Sequence, residues 1–246
     1  MASMHEASPH DQADGLRRLM ASPLSALCTV LSADGRERKP VLVNRLASSM
    51  ARRGHPVMVL DTAATAGSAC DARHSLLDVA QGRALLEEAR VADAEGIAHC
   101  RLGTGVSADG AQALAGLLQQ LLAEGVRLLV SAELDGNGQL PLAMLADGDI
   151  VVQLSGSAAA IRDAYDMLRA LKALCGRGTV SLLVTDADPT RARHVHANLF
   201  HAASRYLALP VRSITAPQPR RGMSSATNVT NATNANTVSP SGNRHV

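Results

Sequence analysis

The chain has 246 residues, 24 of them basic and 22 acidic for a formal charge of +2, and is 46% hydrophobic, with Tyr165, Phe200 and Tyr206 as its aromatic residues. Its core must therefore be Ala, Leu and Val, base-stacking platforms are nearly excluded, and the balanced charge without a dense basic stripe argues against nucleic-acid binding. No apolar run reaches the roughly eighteen residues of a spanning helix and the N-terminus lacks the charged-then-apolar pattern of a secretion signal, so a cytoplasmic protein is expected.

In chain order, the first element is a short amphipathic helix over 11–20, with Ala13, Leu16 and Met20 on one face and Asp11 near its start. Alone it is too short to be stable, so it must dock on its own domain or on a partner. Residues 24–31 then read as a buried strand, 32–39 as a polar loop, 41–53 as an apolar helix and 57–61 as a second strand ending at Asp61. That is a βαβ unit. Pro40 suits a first helical turn, where no amide donor is needed, and Gly54 suits the position just past a helix end.

Further on, 75–79 and 85–91 read as two short helical pieces around Gly82, and 96–103 as a short strand running into a loop. A helix over 111–124 carries Leu114, Leu117, Leu118, Leu121 and Leu122 and stops at Gly125. A strand over 126–130, a turn over 132–138, a short helix over 140–146 and a strand over 149–154 follow. Ser157 or a neighbour caps a helix over 158–174 with Ile161, Tyr165, Leu168 and Leu171 at helical spacing. The last elements are a strand over 180–184, a helix over 191–207 and a short strand over 211–214. Strands alternating with helices predict an α/β fold: a mostly parallel sheet covered by helices on both faces. Three parts are expected, an N-terminal segment 1–22, an α/β domain 23–215, and a tail 216–246 rich in Ser, Thr and Asn that cannot bury enough apolar surface to order itself.

A strand, a loop and a helix N-terminus in that order collect anions on exposed backbone amides, usually phosphate. The loop over 32–39 departs from the G-x-x-x-x-G-K-[ST] cradle: Gly35 and Lys39 stand in plausible places, Glu37 brings a carboxylate, and Pro40 occupies the place of a magnesium-binding hydroxyl. The alternatives are a nucleotide site and a plain βα connection. Cys28, Cys70, Cys100 and Cys175 are scattered, with no C-x-x-C spacing. His194 and His196, two residues apart on a helix, do not share a face, so no metal site is expected there.

Several stretches resemble the FlhG/FleN flagellar-number regulators, a branch of the MinD/ParA family of P-loop ATPases. The sequence D-Q-A-D-G-L-R-R-L at 11–19 resembles the D-Q-A-x-x-L-R motif that opens those proteins. Val43-Asn44, Leu46-Ala47 and the run 51–54 look like the V-N-L-A-x-x-L-A-x-x-G helix with one extra residue, and 57–61 looks like the V-L-L-L-D strand. Leu76-Leu77-Asp78-Val79 with Gly82 resembles L-x-D-V-L-x-G; Asp163-Ala164-Tyr165 resembles D-A-Y-x-x-I-K-x-L. Together these cover roughly 11–214.

The resemblance has departures at the chemistry. Aligned on Asn44, the first Lys of K-G-G-V-G-K-T falls on Ala33, the second on Arg38 and the Thr on Lys39; the Asp of I-D-x-P-A-G falls on Ser131, with Glu133 and Asp135 out of register. The adenine-reading Asn of V-V-N meets Leu183-Val184-Thr185, while Asp61 is kept. What the resemblance implies is a regulator of flagellar number and placement on a MinD-like scaffold with weak or no ATP hydrolysis, in which Gly35, Arg38, Lys39 and Asp61 would hold any ATP or ADP with magnesium. It implies that Asp11, Gln12, Leu16, Arg17 and Met20 engage the flagellar GTPase FlhF, with a flagellar transcription activator or basal-body component as further partners and a homodimer as a further state. The alternatives are a working MinD/ParA-type ATPase that dimerises on ATP, and a ParA-like partitioning protein, which the near-neutral charge disfavours. Relatives also carry a membrane-seating amphipathic helix at the C-terminus, for which the tail here offers no apolar face.

Overall fold

The structure is a computed structural model that describes residues 25–34, 39–62, 70, 72–174 and 178–213. The expected partner residues Asp11, Gln12, Leu16, Arg17 and Met20, the loop residues Gly35 and Arg38, and the tail lie outside the described residues.

Among the described residues, eight strands form one sheet: β1 (Leu27–Ser32), β2 (Val57–Asp61), β3 (Arg90–Ala92), β4 (Ala98–Arg101), β5 (Arg127–Ser131), β6 (Asp149–Ser155), β7 (Val180–Thr185) and β8 (Val211–Ser213). Their order is β3-β4-β2-β5-β1-β6-β7-β8. Among the described strands only the edge pair β3 and β4 is antiparallel. β1 is central, with Val30 opposite Ser131 of β5 on one side and Val151 of β6 on the other. Among the described residues, five helices of the α type connect the strands: α1 (Lys39–Ala51), α2 (Leu76–Ala80), α3 (Ala108–Ala123), α4 (Ala158–Leu174) and α5 (Pro189–Ala202).

The alternation of side chains along β1 decides which helix lies where. Leu27 and Leu31 point to one face, joined there by Leu114, Leu118 and Leu121 of α3, Ala164, Leu168 and Leu171 of α4, and Val195 and Leu199 of α5. Cys28 and Val30 point to the other, where α1 buries Leu42, Val43, Leu46, Ala47 and Met50 against them and against Val59 and Leu129. Among the described residues α1 is the one helix on that second face, so helices of the described chain cover the two faces unequally. Each Leu, Val or Met among those side chains removes apolar surface worth about 1.5–3 kcal/mol before the entropy of ordering is counted.

The helix ends follow from local chemistry. Ser107 Oγ accepts from the Gly110 amide at the start of α3, and Asp188 Oδ1 accepts from the Thr190 and Arg191 amides before Pro189 opens α5. At α2, Ser75 and Asp78 satisfy each other's amides in a capping box, and those hydrogen bonds, with Arg83, hold the Asp78 carboxyl well below the usual range.

Several elements differ from the sequence reading. The apolar helix over 41–53 starts two residues earlier, at Lys39, because Pro40 fits inside the first turn. Residues 85–91 are a single 3-10 turn (Leu86–Glu88) followed by β3, since the edge of the sheet offers Arg90, Val91 and Ala92 partners in β4. The short helix over 140–146 shrinks to a 3-10 turn, Ala143–Ala146. The last helix begins at Pro189 and ends in a π turn, Ala203–Leu207, stopped by Ala208 in the left-handed region. In α4 the buried stripe is Ala160, Ala164, Leu168 and Leu171, and the bulkier Ile161 and Tyr165 flank it half-buried.

Candidate functional site

The strand order reverses at β1: the sheet grows through β5 and β2 on one side and through β6 and β7 on the other. Open α/β sheets leave a crevice at the carboxyl ends of the strands at such a point. Here it is a cleft of about 700 Å³ lined by Leu31 and Ser32 at the end of β1, Lys39 at the start of α1, the run Ala132 to Gly138 after β5, and one side of α4.

Lys39 is the first residue of α1 and only 4% exposed. Its stem is buried with the helix, and its Nζ donates to the carbonyl of Ala132 at 2.9 Å and lies 3.5 Å from Glu133 Oε1. A buried ammonium needs such partners, because leaving water costs several kcal/mol that only a close carboxylate and carbonyl offset. The backbone order β1, loop, α1 thus sets Lys39 in the first helical turn beside the switch point, and Pro40 directly after it carries no hydroxyl.

The rest of the cleft is acidic. Glu133, Asp135, Asp163 and Asp166 line it, against Lys39 and Arg169, and Arg169 lies 3.4 Å from Asp166. Asp135 is partly spent on its own turn, its Oδ1 accepting from the amides of Asn137 and Gln139. Asp61 stands half-buried at the end of β2, level with Ser131 across the β2–β5 pair, and so on the far side of β5 from β1. Of the residues the sequence suggested for a nucleotide, the cleft lining brings in Lys39 and leaves Asp61 outside it. The α4 carboxylates Asp163 and Asp166 and the base Arg169 escaped the sequence reading. Their signal was available: they project at positions 163, 166 and 169, one helical turn apart, opposite the Ala164–Leu168–Leu171 stripe.

Tested against a nucleoside triphosphate with magnesium, this donor set fits poorly. The phosphates would meet a lysine already hydrogen-bonded to the protein, the metal would find a proline in place of a hydroxyl, and the lining carboxylates would oppose the phosphate charge.

No protein-family model matches the chain, and no curated protein does either. Its backbone is nonetheless similar to solved structures. Cobyrinic acid a,c-diamide synthase from Mycobacterium smegmatis, with bound ADP and magnesium, superposes with a TM-score of 0.54 at 19% identity over 74% of this chain and 83% of that one. The MinD cell division protein of Aquifex aeolicus gives 0.53 at 14% identity, covering 75% and 79%. A ParA family ATPase from Chlorobium tepidum gives 0.53 at 13% identity, covering 78% and 84%. At such identities the likeness establishes the fold, and the fold is that of the MinD/ParA-like P-loop proteins.

Proposed function

We propose that the chain is a regulator of flagellar number and placement that works by protein contact, on a MinD/ParA-like scaffold whose nucleotide site has decayed. The observation that carries this reading is the commitment of Lys39 to Ala132 and Glu133 in an acidic cleft. A lysine so held is a structural ion, not a waiting phosphate ligand. The D-Q-A-D-G-L-R-R motif over 11–18 supports the choice of partner, the GTPase FlhF. Gln12 has the chemistry to orient a water in the partner's GTPase site, since an amide both donates and accepts, while Leu16 and Met20 supply apolar grip and Arg17 pairs with acids.

The test is GTP turnover by FlhF with a peptide spanning 1–22. Stimulation of about tenfold or more, lost with Gln12→Ala while binding survives and lost together with binding in Leu16→Asp, is the expected result. A peptide without effect removes the partner assignment.

A second reading, a working ATPase with an ATP-dependent dimer, is favoured by one observation: Lys39 sits in the first turn of the helix after the central strand, in a fold shared with a synthase solved with ADP and magnesium. Calorimetric titration with Mg·ATP separates the two readings. Micromolar affinity with turnover abolished by Lys39→Ala would favour the enzyme.

A further inference from the structure

On the face of the sheet that carries α1, the helix packs against β1, β2 and β5. Beyond it, β6 and β7 present Val151, Gln153, Ser181 and Leu183 to the same side, with Val151 opposite Ser181 and Gln153 opposite Leu183. No other described helix lies on that side, because α4 and α5 belong to the opposite core. Yet the four residues are closed to solvent, at 0%, 4%, 8% and 4% exposure. Gln153 Oε1 is buried with no hydrogen-bond partner, which marks an incomplete polar environment inside a covered surface.

We infer that the N-terminal segment 11–20 docks on this β6–β7 face, laying Ala13, Leu16 and Met20 over Val151 and Leu183. Three observations select this occupant. The described chain begins at Ser25, whose amide donates to Asp149 Oδ2 at 2.7 Å and whose Oγ accepts from the Asp149 amide, so the segment enters the domain at the foot of β6. From there to β7 is one strand spacing, roughly 5 Å, and the four residues 21–24 span up to about 14 Å. The apolar stripe at 13, 16 and 20 matches a patch two strands wide, whereas the tail over 222–246 has no apolar periodicity with which to cover it.

This docking goes beyond the regulatory reading and stands without it. Where both hold, the same Leu16 and Met20 serve two surfaces in turn, so the intact chain stimulates a GTPase less than the free peptide does. The segment then restrains itself.

The experiment introduces a thiol on the covered face with Ser181→Cys, a nearly isosteric change, and follows its modification by a disulfide reagent in the full chain, with the modified peptide identified by mass spectrometry. Slow modification that accelerates tenfold or more when Leu16→Asp and Met20→Asp are added, with the circular dichroism of the domain retained, is the expected result. A second variant pair, Leu16→Cys with Ser181→Cys, should close an intramolecular disulfide under mild oxidation. Modification unaffected by the two Asp substitutions, or accelerated instead by deleting 222–246, overturns the inference. So does the absence of the intramolecular bridge. None of these readouts involves the GTPase, so failure here and failure of the partner assignment are distinguishable.

Discussion

Lys39 Nζ reaches across the end of β1 to the loop after β5, 2.9 Å from the Ala132 carbonyl and 3.5 Å from Glu133 Oε1. The carbonyl makes the better hydrogen bond and the carboxylate supplies countercharge, since 3.5 Å is long for a charge-assisted contact. Glu133 keeps about a third of its side chain in water. Removing it with Glu133→Gln takes one negative charge from beside the position where a phosphate would lie. At an effective dielectric near 20 that is worth on the order of 1–2 kcal/mol, so Mg·ATP affinity should rise about tenfold in calorimetry. Affinity that stays unchanged would mean that Glu133 does not guard the site. Lys39→Ala, which empties a buried volume as well as the charge, should cost roughly 2–4 kcal/mol in urea unfolding, and Lys39→Met less than half of that.

Two glycines give opposite expectations from geometry alone. A Cβ on Gly148 would collide with the carbonyl oxygen of Leu27 and stand 2.9 Å from Leu27 Cγ, at the point where β6 enters beside β1. Backbone cannot yield as a side chain can, so Gly148→Ala should cost about 3 kcal/mol and lower the Tm by roughly 6–12 °C. Gly116, in α3, has open space around its Cβ position. Gly116→Ala should add about 0.5–1 kcal/mol by helix propensity. Thermal melts of the two variants settle the contrast, and a Gly148→Ala protein that melts with the wild type would refute the close approach.

The fold was legible where periodicity was strong. The βαβ unit around Pro40 and Gly54 and the Leu-rich α3 were readable because burial on one side of a helix or on both sides of a parallel strand writes a clean pattern. β3 was hidden: Arg90, Val91 and Ala92 carry no alternation because all three are exposed on an edge, and their pairing with β4 decides their state. In the cleft, Lys39 was legible from its place before Pro40, but its partners lie 93 and 94 residues away in a loop that local pattern does not bring near. Asp163 and Asp166 belong to the cleft because the fold sets α4 beside the switch point, a placement that helix periodicity alone does not give.

His196 gives a pH dependence. Burial lowers its pKa, its Nε2 is buried without a hydrogen-bond partner, and its ring stacks on Phe200 with centroids 6.1 Å apart. The folded state thus binds the proton less readily than the unfolded chain, whose imidazole titrates near 6.5. Its contribution is complete above about pH 6.5 and is lost as pH falls from there through the lower folded value. Urea unfolding followed from pH 8 to pH 5 should show His196→Phe losing less stability than the wild type over the acid half of that range. Parallel curves would show that His196 is not coupled to folding.

Gln153 offers the sharpest stability test, because the expected sign runs against the usual result of a core substitution. It lies in β6 beside the central strand, its carbonyl accepting from the Ala33 amide at 2.8 Å, so its backbone is satisfied while its buried Oε1 is not. An unsatisfied buried acceptor has surrendered its water without replacement, at a cost of about 1–3 kcal/mol. Gln153→Met keeps length and flexibility and removes that acceptor, leaving the side chain beside Val151 and Leu183 in the α1-side core. Against this stands any hydrogen bond of the amide nitrogen, worth about 1 kcal/mol net. The balance favours methionine: we expect Gln153→Met to unfold at the same or a higher urea midpoint, by up to about 1 kcal/mol, with an unchanged slope. Gln153→Ala, which removes the acceptor but leaves a void, should be destabilised by roughly 2 kcal/mol relative to Gln153→Met. A methionine variant weaker than the wild type by more than about 1 kcal/mol would show that the Gln153 amide makes a polar contact the protein depends on.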